Sequence, residues 1–322
     1  MTAMPQRPAP VGPDGVNPGR ARRAIRSLYA HPTLTAADLT APLLVVAEGQ
    51  PLLPGATTLE GVPTVVDRWS RLGIRGLKLF VHGHDRDPRG SGATTPGNRM
   101  VRAIRAVKAT DAAMAVTTEV CGCSWTDHGQ CVLRTADDSI DLDSTYRLMS
   151  AMAVQHAEAG ADVASPTAML DGSIRAVRSA LDDAGFRDVG VNPNIALHTG
   201  LYGPFKELMD TNPATGHRRG LQLEPGRADR DAVIQSRRWI TEGADSLTLQ
   251  PVMTAVDVLV RLRAEQQVPL TAYSTSGEWD ALCALGIDGM IEYHSMLKRA
   301  GADVILTFAA EKIAARLEAS RG

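Results

Sequence analysis

Short runs of β-branched and apolar residues recur along the chain, each followed by a longer stretch whose apolar positions repeat every three or four residues. That alternation is the pattern of parallel βα units. The runs predict strands over residues 43–46, 76–81, 114–120, 162–165, 189–192, 246–250, 270–274 and 304–307. Eight is the strand number of a TIM barrel, so the expected fold is an α/β (β/α)8 barrel. The amphipathic stretches predict helices over 65–72, 100–109, 144–159, 174–184, 231–242, 255–265 and 291–300. Several end in Ala-Gly-Ala or Glu-Gly-Ala, a glycine stop before the next strand. Residues 1–33 precede the first strand and are rich in Pro, Gly and Arg. They cannot bury a core alone, so they read as a disordered tail or an extended arm ordered against another subunit, with the barrel domain spanning 34–322.

In such barrels the reacting groups sit at the C-terminal ends of the strands and in the loops that follow. This places His82, His84 and Asp85 after the second strand, a cysteine-rich segment after the third, Asn192 and Asn194 after the fifth, Gln250 at the end of the sixth and Ser276 after the seventh. Charge selects no macromolecular partner: 34 basic and 36 acidic residues give a net charge of -2, so neither nucleic acid nor a membrane surface is implied. No apolar run approaches the roughly 20 residues needed to span a bilayer, and the N-terminal stretch lacks a signal-peptide core. The expected location is cytoplasmic. A disulfide framework is not expected from four cysteines in 322 residues, and Cys283 reads as a small core residue in a helical stretch.

Three of those four cysteines, Cys121, Cys123 and Cys131, fall within eleven residues beside Asp127 and His128. Thiolates are soft ligands suited to Zn2+, and three protein ligands with one open position is the arrangement of a catalytic zinc site. The alternative is a chance cluster of buried or reactive thiols. Three thiolates leave the zinc centre with a formal charge of -1, which weakens its Lewis acidity, so nearby cations or an acid must assist.

Distinctive stretches lie along the chain: Arg-Gly-Ser (89–91), Cys-Gly-Cys…Asp-His-Gly-Gln-Cys (121–131), Met-Leu-Asp-Gly (169–172), Tyr-Gly-Pro-Phe-Lys (202–206), Gln-Leu-Glu-Pro-Gly (222–226), Ser-Gly-Glu (276–278) and Lys-Arg-Ala-Gly-Ala-Asp-Val-Ile-Leu-Thr (298–307). Through them the chain resembles the porphobilinogen synthase (5-aminolevulinate dehydratase) family from the basic arm to the last helix. It implies a TIM barrel whose N-terminal arm clasps a neighbouring subunit, as a homo-oligomer anywhere from dimer to octamer, and an enzyme that condenses two 5-aminolevulinates into a pyrrole. That reaction uses two lysines as Schiff-base nucleophiles. In the sixth strand the family's lysine position holds Gln250, and in the fifth it falls on Leu197, or on Ala196 with the gap placed differently. Neither an amide nor an alkyl group forms an imine. Further family positions hold Ala168, Ser173, Glu119 and Ala309, whereas the three cysteines, Arg218 or Arg219, Gln222 and Ser276 are retained and Lys206 stands in place of the family's arginine. Selective loss that spares the zinc ligands points to altered chemistry rather than decay.

The expected function is therefore a zinc-dependent lyase of the condensing or dehydrating type, acting on a small amino- or keto-carboxylic acid without lysine imines. Alternatives are a catalytically silent binding or regulatory homologue, or an active porphobilinogen synthase. Catalytic candidates are His198, Gln250, Asn194, Ser276, Lys78, Glu119 and His128, and substrate-binding candidates are Lys206, Arg218, Arg219, Gln222, Ser276 and Phe80. Lysine is scarce, at five residues, and Lys78 lies inside a strand on the same face as Phe80. There it is either a relocated amine nucleophile or half of a buried ion pair with Glu119. His82, His84 and His198 are candidate acids or bases on the loop face, and His128 is read as a support or proton-transfer residue beside the zinc. Lys206 and the two arginines form a clamp for a substrate carboxylate. An active enzyme is expected to keep an open, polar cavity lined by His198, Asn194 and Gln250, and a silent one to fill it.

Overall fold

The computed structural model describes residue 17 and residues 21–30, 34–47, 53–214 and 216–319. It divides into two units, Met1–Thr33 and Leu34–Gly322. Within the first, α1 (Arg23–Tyr29) buries no residue, and the other residues of the expected arm, 1–16, 18–20 and 31–33, lie outside the described set.

The second unit is a barrel of parallel strands. In chain order they are β1 (Leu39–Val45), β2 (Ala56–Thr57), β3 (Gly76–Val81), β4 (Ala115–Val120), β5 (Val163–Pro166), β6 (Gly190–Val191), β7 (Asn194–Ala196), β8 (Leu247–Gln250), β9 (Leu270–Ser274) and β10 (Val304–Thr307). Hydrogen-bonded neighbours run β6-β5-β4-β3-β1-β10-β9-β8-β7, with β2 paired to β1. The expected fifth strand, 189–192, is only the short β6; a second short piece, β7, not among the expected strands, follows beyond Pro193, which has no N–H to give a ladder. The first piece pairs with β5 and the second with β8, while the Pro193 carbonyl still accepts from Thr248 N. The ring of eight closes through this broken strand.

Some element ends differ from the expected ones at prolines, while the helices Ala228–Glu242 and Gly286–Arg299 start three and five residues early with no proline in their first turns. The first strand starts at Leu39, not 43, and carries Pro42 inside it; its ladder to β10 stops at Thr40, and at Leu44 the strand takes up β2 instead. Likewise the first barrel helix, α2 (Val62–Arg71), begins three residues early because Pro63 sits in the first turn, where a missing N–H costs nothing. Its buried Val62, Val65, Val66 and Trp69 form one stripe toward the sheet. Helices over Gly203–Leu208 and Ala310–Ala319 are additional to the expected set, and the helical stretch expected around Cys283 is the helix Ser276–Cys283.

Strand alternation sorts the core into two regions. Leu77, Leu79 and Val81 of β3 belong to the large apolar layer beneath the helices. Phe80 instead packs with Leu44, Tyr273, Leu306 and Phe308 inside the barrel. Lys78 shares the inward face of Phe80, one layer deeper. Cys283, expected in the core, is exposed; its helix buries Leu282 and Glu278 instead.

Candidate active site

The C-terminal mouth of the barrel holds a cavity walled by residues from most of the strands. The inward positions of β7 and β8 face it as Asn194, Ala196 and Gln250, with Phe80 and Glu119 beside them. Ala196 is paired in register with Gln250. Leu197, by contrast, points outward into the helix-facing core. The position where the resemblance calls for the fifth-strand lysine is therefore Ala196, which corrects the reading on Leu197.

The cysteine segment follows β4. A 3-10 turn over Gly122–Ser124 carries Cys123, and the chain returns to bring Cys131 alongside. The three sulfurs all lie within 4.8 Å of one another and are buried, a donor set that can hold a metal ion. Cys123 and Cys131 also line the cavity. Hydrogen bonds from Cys121 and Cys123, helped by the nearby Arg218 charge, hold the Cys131 thiol well below the ordinary range, and bonds to Cys123 and Cys131 push Cys121 upward.

Arg218 ties this loop in place. Its guanidinium donates to the carbonyls of Gly129 and Thr211 while lining the cavity. The thiols and Glu119 hold its charge more firmly against burial. Lys206 enters from α6 (Gly203–Leu208) and lies 4.7 Å from the Tyr202 ring centroid. Burial and the Arg218 charge lower the Lys206 ammonium. Two half-hidden cations at one cavity favour an anion between them. Arg219 does not join them, since its side chain turns outward to Glu224 at 3.7 Å and to His198 at 3.3 Å. Of the arginine pair, only Arg218 reaches the cavity.

The remaining candidates divide. Ser276 lines the cavity, but its hydroxyl already donates to Tyr202 O (2.7 Å) and accepts from Phe205 N (3.0 Å). Gln222 lines it as well, with its Oε1 3.3 Å from His198 Nδ1. His198 itself stands behind Gln222, outside the wall, because its backbone is held by Leu223 O and its ring by Gln222 and Arg219. The expected lining of His198, Asn194 and Gln250 is thus reduced to the two amides. His128 accepts from Gln130 N at 3.1 Å and braces the turn before Cys131. His84 stacks on Trp125 and bonds Ser124 O, and burial lowers its pKa to about 4, so it is a neutral prop of the cysteine loop.

Glu119 accepts from Ser124 Oγ at 2.7 Å, and burial beside Cys123 raises its carboxyl to about 8. It forms no ion pair with Lys78. The Lys78 ammonium donates instead to Ser165 Oγ (2.8 Å) and Asn194 Oδ1 (3.0 Å), which corrects the expected pairing. Two hydroxyl or amide acceptors satisfy the buried cation where the single-sequence view offered only a carboxylate.

Tyr202, Tyr273 and Phe205 also face the cavity and were not among the candidates. Tyr202 donates to Leu197 O at 2.9 Å. Its motif, Tyr-Gly-Pro-Phe-Lys, was visible in the sequence, whereas Tyr273 inside a strand differs in no local way from a core tyrosine.

A family model described as delta-aminolevulinic acid dehydratase matches residues 16–316. The delta-aminolevulinic acid dehydratase of Synechocystis sp. is 33% identical over 324 residues, covering 94% of this chain and 98% of its own. That of Escherichia coli is 30% identical over 329 residues, covering 98% of both chains. The structure of delta-aminolevulinic acid dehydratase from Toxoplasma gondii, in complex with the reaction product porphobilinogen, is similar with a TM-score of 0.89 at 26% identity, over 95% of this chain and 93% of that one.

Proposed function

The chain belongs to the delta-aminolevulinic acid dehydratase family, and from that premise we propose that it is a zinc-dependent lyase of the condensing or dehydrating type whose substrate is a small amino- or keto-carboxylic acid and whose chemistry passes through no lysine imine. The observation that carries this reading is the pair Ala196 and Gln250, in register at the cavity wall, with no amine on either. Cys121, Cys123 and Cys131 would hold the zinc, which when bound supplies Lewis acidity toward a carbonyl or hydroxyl oxygen. Lys206 and Arg218 bind the substrate carboxylate and offset the negative thiolate centre. Glu119 is the carboxyl in the wall that can give or take a proton, with Ser124 orienting it. Phe80 and Phe205, edge to face at 4.9 Å, exclude water from one side. An open cavity bearing three primary amides, Asn194, Gln222 and Gln250, supports an enzyme over a silent homologue.

Likeness to relatives bearing the dehydratase name over nearly their full length favours a second reading, formation of porphobilinogen itself. One experiment separates the two. Zinc-loaded protein is incubated with 5-aminolevulinate and related keto acids, pyrrole is measured with Ehrlich's reagent, and other products by mass spectrometry. Consumption of an acid without pyrrole supports the first reading, and pyrrole above the protein-free rate establishes the second.

A further inference from the structure

Lys78 is a fully buried cation with no carboxylate partner in hydrogen-bond range, one layer below the cavity, and the proposed reaction leaves it without a task. Its ammonium bonds fix something above it. An ammonium is donor only, so the side-chain atom of Asn194 that it meets at 3.0 Å must be the carbonyl oxygen. The amide of Asn194 therefore has one possible orientation. Ser165 does not compete for that role, because its single proton goes to Asn192 O at 2.7 Å rather than to Asn194 at 3.2 Å. With Oδ1 taken, Asn194 has Nδ2 left, without a partner among the described residues, on a side chain that lines the cavity. On β7 Asn194 precedes Ala196 by two residues, so both face inward and the amide lies directly beneath the lysine-less position.

We propose that Lys78 is a positioning residue that locks Asn194 with its amide N–H donors toward the cavity, making a subsite for the carbonyl oxygen of a keto acid at the place where an amine would otherwise condense with it. The inference rests on the reading of the cavity as a small-carboxylate site. It selects keto acids from the acids that reading allows: their carbonyl is held by hydrogen bonds and remains intact. Without the ammonium the amide turns freely, and its oxygen, which repels a carbonyl, faces the cavity part of the time.

Levulinate and pentanoate serve as probes, since they share a carboxylate and chain length and differ in the C4 carbonyl. Both are titrated into full-length, zinc-loaded protein by ligand-observed NMR. Wild type is expected to prefer levulinate about fivefold, the worth of one neutral hydrogen bond. Asn194→Leu brings the ratio near one, Lys78→Met lowers it about twofold because the competent orientation is then populated about half the time, and the double variant shows the same ratio as Asn194→Leu alone, because the lysine acts only through the amide. Asn194→Asp keeps the Lys78 bond and replaces the donors by an acceptor oxygen whose charge acts on both acids' carboxylates alike, so it abolishes the levulinate preference even if Asn194→Leu misfolds. A ratio unchanged in Lys78→Met, or a wild-type ratio of one with both acids bound, overturns the inference alone. Failure of both acids to bind wild type overturns the small-carboxylate reading and the inference with it.

Discussion

Ala196 and Gln250 stand opposite each other on β7 and β8, and an imine has no nitrogen to form on at either. Borohydride reduction in the presence of 5-aminolevulinate should leave the peptides containing both residues at their unmodified mass; an adduct on either rejects the assignment. Gln250→Lys alone should not produce porphobilinogen, as Ala196, Ala168, Ser173 and Ala309 remain and groups acting as a unit are not restored singly. Lys78 makes a second residue-scale prediction. Burial lowers its ammonium from 10.5 to about 8. Between those values the unfolded chain binds a proton that the folded chain has released, so stability rises with pH across the window and the penalty is complete below pH 8. Lys78→Met removes the titrating group. Its urea-derived stability should rise less than that of wild type from pH 8 to 10.5, by on the order of 2–3 kcal/mol. Parallel curves would mean that Lys78 keeps an ordinary proton affinity.

The element that carries the candidate metal ligands is the loop from Cys121 to Cys131, which holds together by close backbone approach. Gly129 sits at φ +66°, and a Cβ there would lie 2.6 Å from Asn212 O. Gly129→Ala should therefore displace the turn before Cys131, destabilise the fold by about 1–3 kcal/mol and weaken metal binding, read by thermal denaturation and a zinc competition titration. Purified protein should carry about one zinc per chain, and Cys123→Ser should release it, measured by elemental analysis. Zinc retained in that variant would place the metal elsewhere. The cysteine spacing and the expected range of β3 were legible in the sequence, since both are local patterns. The second piece of the fifth strand was not, because the expected strand ended before Pro193 and a three-residue segment beyond it shows as a strand only through its pairing with β8.

For the whole molecule, none of the described helices is long and apolar enough to cross a membrane. We propose that residues 1–33 act as an arm between subunits. Leu28 and Tyr29 of α1 are 64% and 71% exposed, apolar surface that a neighbouring chain would cover. Deleting residues 1–30 removes none of the barrel core, so the truncated chain should keep its circular dichroism and unfolding midpoint while its assembly becomes smaller by light scattering. An unchanged mass would count against the arm.

By itself the sequence determined the barrel and the cysteine cluster, because hydrophobic periodicity and cysteine spacing act over a few residues and need no knowledge of distant neighbours. It also determined that the fifth- and sixth-strand lysine positions hold no amine. Which residue stands at the fifth-strand position, Ala196 or Leu197, was decided by the ladder between β7 and β8, since a one-residue shift turns a side chain from cavity to core. Tertiary structure likewise separated Arg218 from Arg219 and turned His198 away from the cavity. It gave Lys78 Ser165 and Asn194 as partners, 87 and 116 residues away in the chain. Contacts at that separation follow from how the strands are arranged around the barrel, and no local pattern encodes them.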